Sequence, residues 1–188
     1  MRATEVDEFD DFVRARASAM FRTAYLLTGD HHAAEDLVQE ILEQMYVRWR
    51  HIRQTPEGYA RRALVNRANN RWRLRRRRPE TGLAAMPAGG EPGTSDRADE
   101  VVGRHVIVGA LRTLPARQRA AVVLRFLDDL SVAEVAETLG CSAGAVKRHT
   151  SRGLAKLREL LDAPDPPPGE VCPPVAKVHT SQILEVLR

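Results

Sequence analysis

Residues 131–159 read SVAEVAETLGCSAGAVKRHTSRGLAKLRE, and this stretch decides how the rest of the chain is read. Ser131 and Glu134 make an S-x-x-E capping box, which satisfies free amide groups at a helix start. Val135, Ala136 and Leu139 supply the apolar face of that helix. Gly140 stands where a helix closes in a left-handed residue, and Ser142 can cap the helix that follows. In that second helix Val146 turns back toward a core, while Lys147, Arg148, Ser151 and Arg152 fall on the outward side. Residues 143–158 contain no acid. A short helix, a tight turn and a basic second helix are the layout of a helix-turn-helix, whose second helix enters a DNA major groove. A plain helical hairpin with a solvated charged face would share the periodicity. It gives no reason for the small Ala136, the Gly140 turn and the acid-free run together.

Working outward, helical periodicity continues upstream over about 101–113 and from Pro115 to Phe126. Residues 79–99, PETGLAAMPAGGEPGTSDRAD, show no period and are rich in Pro, Gly and acids, the composition of a flexible linker. Before it come three longer helices. The first runs from about Glu8 to Leu27, with Phe9, Phe12, Val13, Ala17, Met20, Phe21 and Ala24 at helical spacing. Gly29 ends it, and Asp30 caps a second over about 31–50, with Ala34, Leu37, Val38, Ile41, Met45 and Trp49 on one face. After the loop HIRQTPEG, with Thr55 as cap and Pro56 in the first turn, a third helix reaches Arg78. The tail from Asp162, DAPDPPPGEVCPPV, cannot pack regularly, although a short amphipathic helix can follow Thr180. The expected fold class is all-α: one helical domain over 1–78, a flexible linker over 79–100, a helix-turn-helix domain over 101–161, and a largely disordered proline-rich tail over 162–188.

The net charge of +4 hides a strong polarity. Residues 1–44 carry ten acids and four arginines, whereas residues 61–78 carry nine arginines and no acid. A chain polarised in this way meets a protein surface at one place and phosphate at another. Two cysteines, Cys141 and Cys172, have no metal-ligand neighbours at useful spacing, which fits a reducing cytoplasm; Cys141 reads as a small buried apolar residue. No signal peptide or membrane span is visible. His31, His32, Glu35 and Asp36 offer metal-type ligands, with His32 and Asp36 one turn apart, but no complementary cluster appears elsewhere and an exposed helix start is the simpler reading. No cofactor, metal site or catalytic residue is expected.

In order along the chain come AAEDLVQEIL, then YARRALVNRANNRWRLRRRR, then LRTLPARQRAAVVLRFLDDLSVAEVAETLGCSAGAVKRHTSRGLAKLRE. Together these segments resemble the extracytoplasmic-function sigma factors of bacterial RNA polymerase, in particular the SigE-like actinobacterial group, over roughly residues 8–161. The resemblance implies two helical sigma domains, 2 and 4, and no enzymatic activity of the chain's own. It implies docking on core polymerase, through the β′ clamp helices and the β flap, and recognition of promoter DNA both as duplex and as melted strand. An anti-sigma factor is a further partner class it implies; a membrane is not.

The resemblance places the polymerase contact on Glu35, Asp36, Gln39, Glu40 and Glu43, whose spacings of three and four make one stripe on a helix. It places reading of the −10 element on the arginine-rich helix, with Arg62, Asn66, Asn69, Asn70 and Arg73 as candidates, and a flipped-base pocket at the loop from His51 to Glu57. Asn70 stands where many members have aspartate. A dense arginine run favours phosphate, arginine stacks on unpaired bases, and asparagine offers donors and acceptors to base edges. Trp72 either packs in the core or stacks near the melted strand. Reading of the −35 element transfers to Lys147, Arg148, Ser151 and Arg152, with arginine in place of a frequent serine at Arg148. Arg117, Gln118 and Arg119 either touch DNA backbone or are merely exposed. The acidic linker either mimics nucleic acid in a polymerase channel or is a passive tether. The rival function is a stand-alone helix-turn-helix repressor or activator, which predicts tight duplex binding without polymerase at a palindromic site.

Overall fold

The computed structural model describes residues 3–77 and 106–161. The expected linker over 79–100 and tail over 162–188 lie outside the described residues, as does Cys172. Seven helices and no strand make up what is described: α1 (Ala3–Thr28), α2 (His31–Ile52), α3 (Pro56–Arg77), α4 (106–113), α5 (Ala116–Phe126), α6 (Val132–Leu139) and α7 (Ala143–Leu161).

The local stop and start signals act as the sequence states them. Gly29 ends α1 at φ +71°, and its amide donates to the Tyr25 carbonyl at 2.7 Å. Asp30 takes the Ala33 amide on its carboxylate at 2.8 Å and starts α2. The apolar face of α2 is buried throughout, from Ala34 to Trp49. Trp49 closes one end of this core, edge-on to Phe9 at 5.1 Å and tilted against Phe12 at 5.5 Å. Helix α1 starts five residues before the sequence expectation. Glu5, 8% exposed, reaches Arg50 of α2 at 3.3 Å and so ties the extra turn to its neighbour.

In the second half the capping box is complete: the Glu134 amide donates to Ser131 Oγ at 3.2 Å, and the Ser131 amide to Glu134 Oε2 at 2.8 Å. Hydrogen bonds from the Ser131 side chain and backbone hold the Glu134 carboxyl below the usual carboxylate range. Gly140 closes α6 at φ +59°, and Ser142 Oγ accepts from the Ala145 amide at 3.2 Å to open α7. Val135, Val146 and Leu157 are fully covered beneath. Helix α7 crosses α5 at Gly153, where a Cβ would come within 2.8 Å of Val122 Cγ2. Only glycine allows that approach without a shift. Cys141 is half-buried and packs against this core.

The two halves do not stand apart. Helix α1 packs on α5, and α3 on α5 and α6, so the buried apolar residues of both form one connected cluster. Polar contacts stitch the seam. Thr23 Oγ1 donates to Asp128 Oδ1 at 3.0 Å, and Arg61 approaches the other oxygen at 3.6 Å. Burial pushes the Asp128 carboxyl up despite these partners. Arg119, one of three residues read as backbone contacts or exposed, is neither. It is 4% exposed and donates to the carbonyls of Leu27 across the seam at 2.6 Å and of Arg112 and Leu114 at 3.3 Å. Arg112 lies over Gly29, whose Cβ position it would clash with at 2.3 Å.

Candidate nucleic-acid interface

Helix α7 brings Lys147, Arg148, Ser151 and Arg152 to one exposed face, with Val146 and Gly153 turned inward. The face is electropositive. His149, half-buried beside it, has its pKa lowered, first by burial and then by the charges of Arg117, Arg148 and Arg152. A concentration of guanidinium groups that disfavours one more proton is one that a phosphate would relieve. Thr150 Oγ1 is buried with no hydrogen-bond partner among the described residues. Further along, Lys156 pairs with Glu159 at 3.0 Å on the exposed surface.

Helix α3 presents Arg62, Asn66, Asn69, Asn70 and Arg73 at intervals that put them on one side of a helix. Arg62, Asn66, Asn70 and Arg73 are exposed and Asn69 is half-buried. Arg73 donates to the Asn70 side-chain oxygen at 2.8 Å. Trp72 is half-buried. The first turns of this strip are partly covered by the other half of the molecule, where Glu137 of α6 takes Arg62 at 2.8 Å. The loop before α3 borders a cleft lined by Glu8, Asp11, Phe12, Trp49, Arg53, Gln54 and Pro56. The Trp49 indole N–H is buried there with no hydrogen-bond partner among the described residues.

On α2 the acidic stripe divides. Glu35, Asp36, Gln39 and Glu43 are exposed, and Gln39 donates to Glu43 at 3.2 Å. Glu40 leans the other way, half-buried, with Arg67 and Arg71 of α3 on its carboxylate. It bridges α2 to α3 while 36% of its side chain stays exposed. Sequence reasoning missed what flanks the outward acids: a shallow apolar groove of Phe9, Phe21, Val38, Leu42, Tyr46 and Val47. Tyr46 is 45% and Val47 82% exposed. The signal was present, because Leu42 and Tyr46 are one turn apart and border the polar stripe.

The structure also gathers His31, His32 and Glu35, with ligand atoms within 4.8 Å of one another; Asp36 is not among them. All three are exposed, and they sit at the positive N-terminal end of α2, where the helix dipole opposes a cation. The grouping is that of an exposed helix start.

The family model of sigma-70 region 2 matches residues 12–78, and that of sigma-70 region 4 matches residues 104–157. The RNA polymerase sigma-E factor of Streptomyces coelicolor is 37% identical, over 86% of this chain and 90% of that protein. The ECF RNA polymerase sigma factor SigW of Bacillus subtilis is 29% identical, over 82% and 89%. Among solved structures, the sigma factor RpoE of Bartonella quintana, in complex with the anti-sigma factor NepR, superposes with a TM-score of 0.63 at 25% identity. The match covers 82% of this chain and 97% of that one. The chain belongs to the sigma-70 family of RNA polymerase sigma factors, and within it to the extracytoplasmic-function, SigE type.

Proposed function

We propose that this protein binds core RNA polymerase, directs it to a class of promoters and helps open the DNA there, with no catalytic residue of its own. The observation that carries this is the set of three faces on one chain. An acidic face beside an apolar groove on α2 suits a protein partner. A basic, asparagine-containing strip on α3 suits unpaired strand. An electropositive helix on a capped helix-turn-helix suits duplex. In this reading α2 docks on the β′ clamp helices, α3 reads the −10 element, α7 reads the −35 element, and domain boundaries fall near 78, 100 and 161. Opening then needs only binding energy, since holding the melted strand more tightly than the duplex shifts the equilibrium toward open DNA. The cytoplasm is the compartment this work requires, and no helix among the described residues is long and apolar enough to cross a membrane.

The packed halves set a condition on this function. Elements at −35 and −10 are about 25 base pairs apart, or about 85 Å of duplex at the ordinary rise. Helix α3, 22 residues long, spans only about 33 Å. With α6 seated on α3, the two reading helices cannot meet both elements, so the seam has to open when polymerase is bound. The defining experiment is reconstitution with core RNA polymerase on genomic promoter fragments, with mapping of transcription starts. Starts that share no upstream sequence, or none above core enzyme alone, would overturn the reading.

The face of α7 yields a separable prediction. Arg148→Ala should alter preference at one or two base pairs of the −35 element, by about 1–3 kcal/mol at each, and leave −10 preference unchanged. Arg148 and Arg152 are one turn apart on the exposed face, so both can enter one groove. Selection from a promoter library randomised at both elements reads this directly. A uniform loss across all −35 variants would demote Arg148 to a phosphate contact.

A further inference from the structure

Glu40 stands apart from the acids it resembles in sequence. Its two carboxylate oxygens are divided between two arginines of α3: Oε1 takes Arg67, and Oε2 takes Arg71 at 3.2 Å. Arg71 is held a second time, through its other terminal nitrogen, by the Ala33 carbonyl at 3.2 Å. Arg67 and Arg71 are one turn apart, on the side of α3 that meets α2 and beside the strip of Asn66, Asn70 and Arg73. One acid therefore holds back two of the cations in the most basic stretch of the chain.

We infer that Glu40 is a positioning residue for promoter-strand binding: it holds Arg67 and Arg71 off the DNA and so keeps sequence-independent affinity low. This rests on α3 as the −10 reading helix. Arginines free to find phosphate add the same binding energy to every sequence. Withholding two of them lowers affinity for the wrong strand as much as for the right one, and leaves discrimination to contacts with base edges. The inference also removes Glu40 from the polymerase-docking face.

The test uses holoenzyme made with full-length protein. Its probes are a fork fragment carrying the −10 strand of a mapped start and a second fragment with that strand scrambled. Affinity is measured against salt. Each phosphate newly neutralised on a single strand steepens the slope of log affinity on log salt by about 0.7. Glu40→Gln should steepen it by about 0.7–1.4 on both fragments and raise affinity for both by the same factor, leaving the preference for the −10 sequence unchanged. The triple variant Glu40→Gln, Arg67→Gln, Arg71→Gln should return the slope to that of the parent, which separates released arginines from the mere loss of a negative charge. Arg67→Gln with Arg71→Gln, with Glu40 retained, should leave the slope close to the parent. Core affinity, measured alongside, should be unchanged in Glu40→Gln and weakened in Glu43→Arg. A slope that falls by about 1.4 in the double arginine variant would show that these arginines already touch phosphate, and the inference would be wrong. It would be equally wrong if Glu40→Gln left the slope unaltered or weakened core binding. Holoenzyme that never prefers the −10 fragment over the scrambled one would instead count against the assignment of α3 itself.

Discussion

Core RNA polymerase should raise the affinity of this protein for a promoter fragment by at least about a hundredfold over the free protein. Two linked reading heads gain about 10²–10⁴ over either alone, but only when both can engage at once. In the closed arrangement they cannot. Helix α6 lies on α3, Glu137 occupies Arg62, and Asp128 joins Thr23 and Arg61 across the seam. The α7 face stays exposed, so the free protein should show weak, strongly salt-dependent duplex binding through that one head. Binding to polymerase can supply the energy that parts the halves and fixes the distance between them. Gel shifts with and without core enzyme, on fragments carrying both elements or the −35 element alone, check this. With core enzyme, removing the −10 element should cost most of the gain; without it, removal should cost almost nothing. Tight, sequence-specific binding by the free protein, independent of core enzyme, would instead point to a stand-alone regulator.

What could be read from the sequence was mostly what lies close together along it. The Ser131 and Glu134 box, the Gly140 turn and the Asp30 cap involve partners within about a turn of helix, so each announces itself by spacing alone. The buried face of α2 was legible for the same reason, since its period is set by one helix against one core. The seam between the halves was not legible. Its contacts join Thr23 to Asp128 and Arg62 to Glu137, far apart in the chain, and no periodicity records such pairs. The reading gave two helical domains; that one packs on the other is what it did not contain. Two side chains still carried a usable local signal. Arg119 falls three and four residues before Val122 and Val123, on the face of α5 that is completely buried. Glu40 falls three residues after Leu37 and seven after Ala33, both buried, so it sits at the border of the core face and not mid-stripe. In each case charge was taken as a sign of exposure, and helical phase was the better guide.

Arg119→Ala should cost about 3 kcal/mol or more of stability, although the residue resembles two polar neighbours that should cost little. The side chain is 4% exposed, and its guanidinium holds the carbonyls of Leu27, Arg112 and Leu114. Burial, with a smaller push from Arg112, brings its pKa down to about 10, still far above neutral, so it folds as a cation. Desolvation of that cation opposes folding and the three bonds more than offset it; its Nε, buried with no partner among the described residues, adds to the cost. Truncation relieves the desolvation but leaves three acceptors to find water or go unpaired, at about 1–3 kcal/mol for each that stays buried. The net is therefore smaller than the three bonds counted singly. At about 2–4 °C per kcal/mol for a chain of this size, the midpoint should fall by about 6–12 °C. Arg119→Lys should recover little, because an ammonium cannot span carbonyls arranged for a planar fork. Arg117→Ala, two residues away and exposed, should stay within about 0.5 kcal/mol of the parent. Thermal unfolding followed by far-UV circular dichroism compares the three directly. Equal midpoints for the Arg117 and Arg119 variants would mean that the buried guanidinium bonds contribute nothing net. Two of its acceptors lie in its own half and only Leu27 lies across the seam, so opening onto promoter DNA should break one bond and keep two. The side chain that braces α5 can thus also let the halves part.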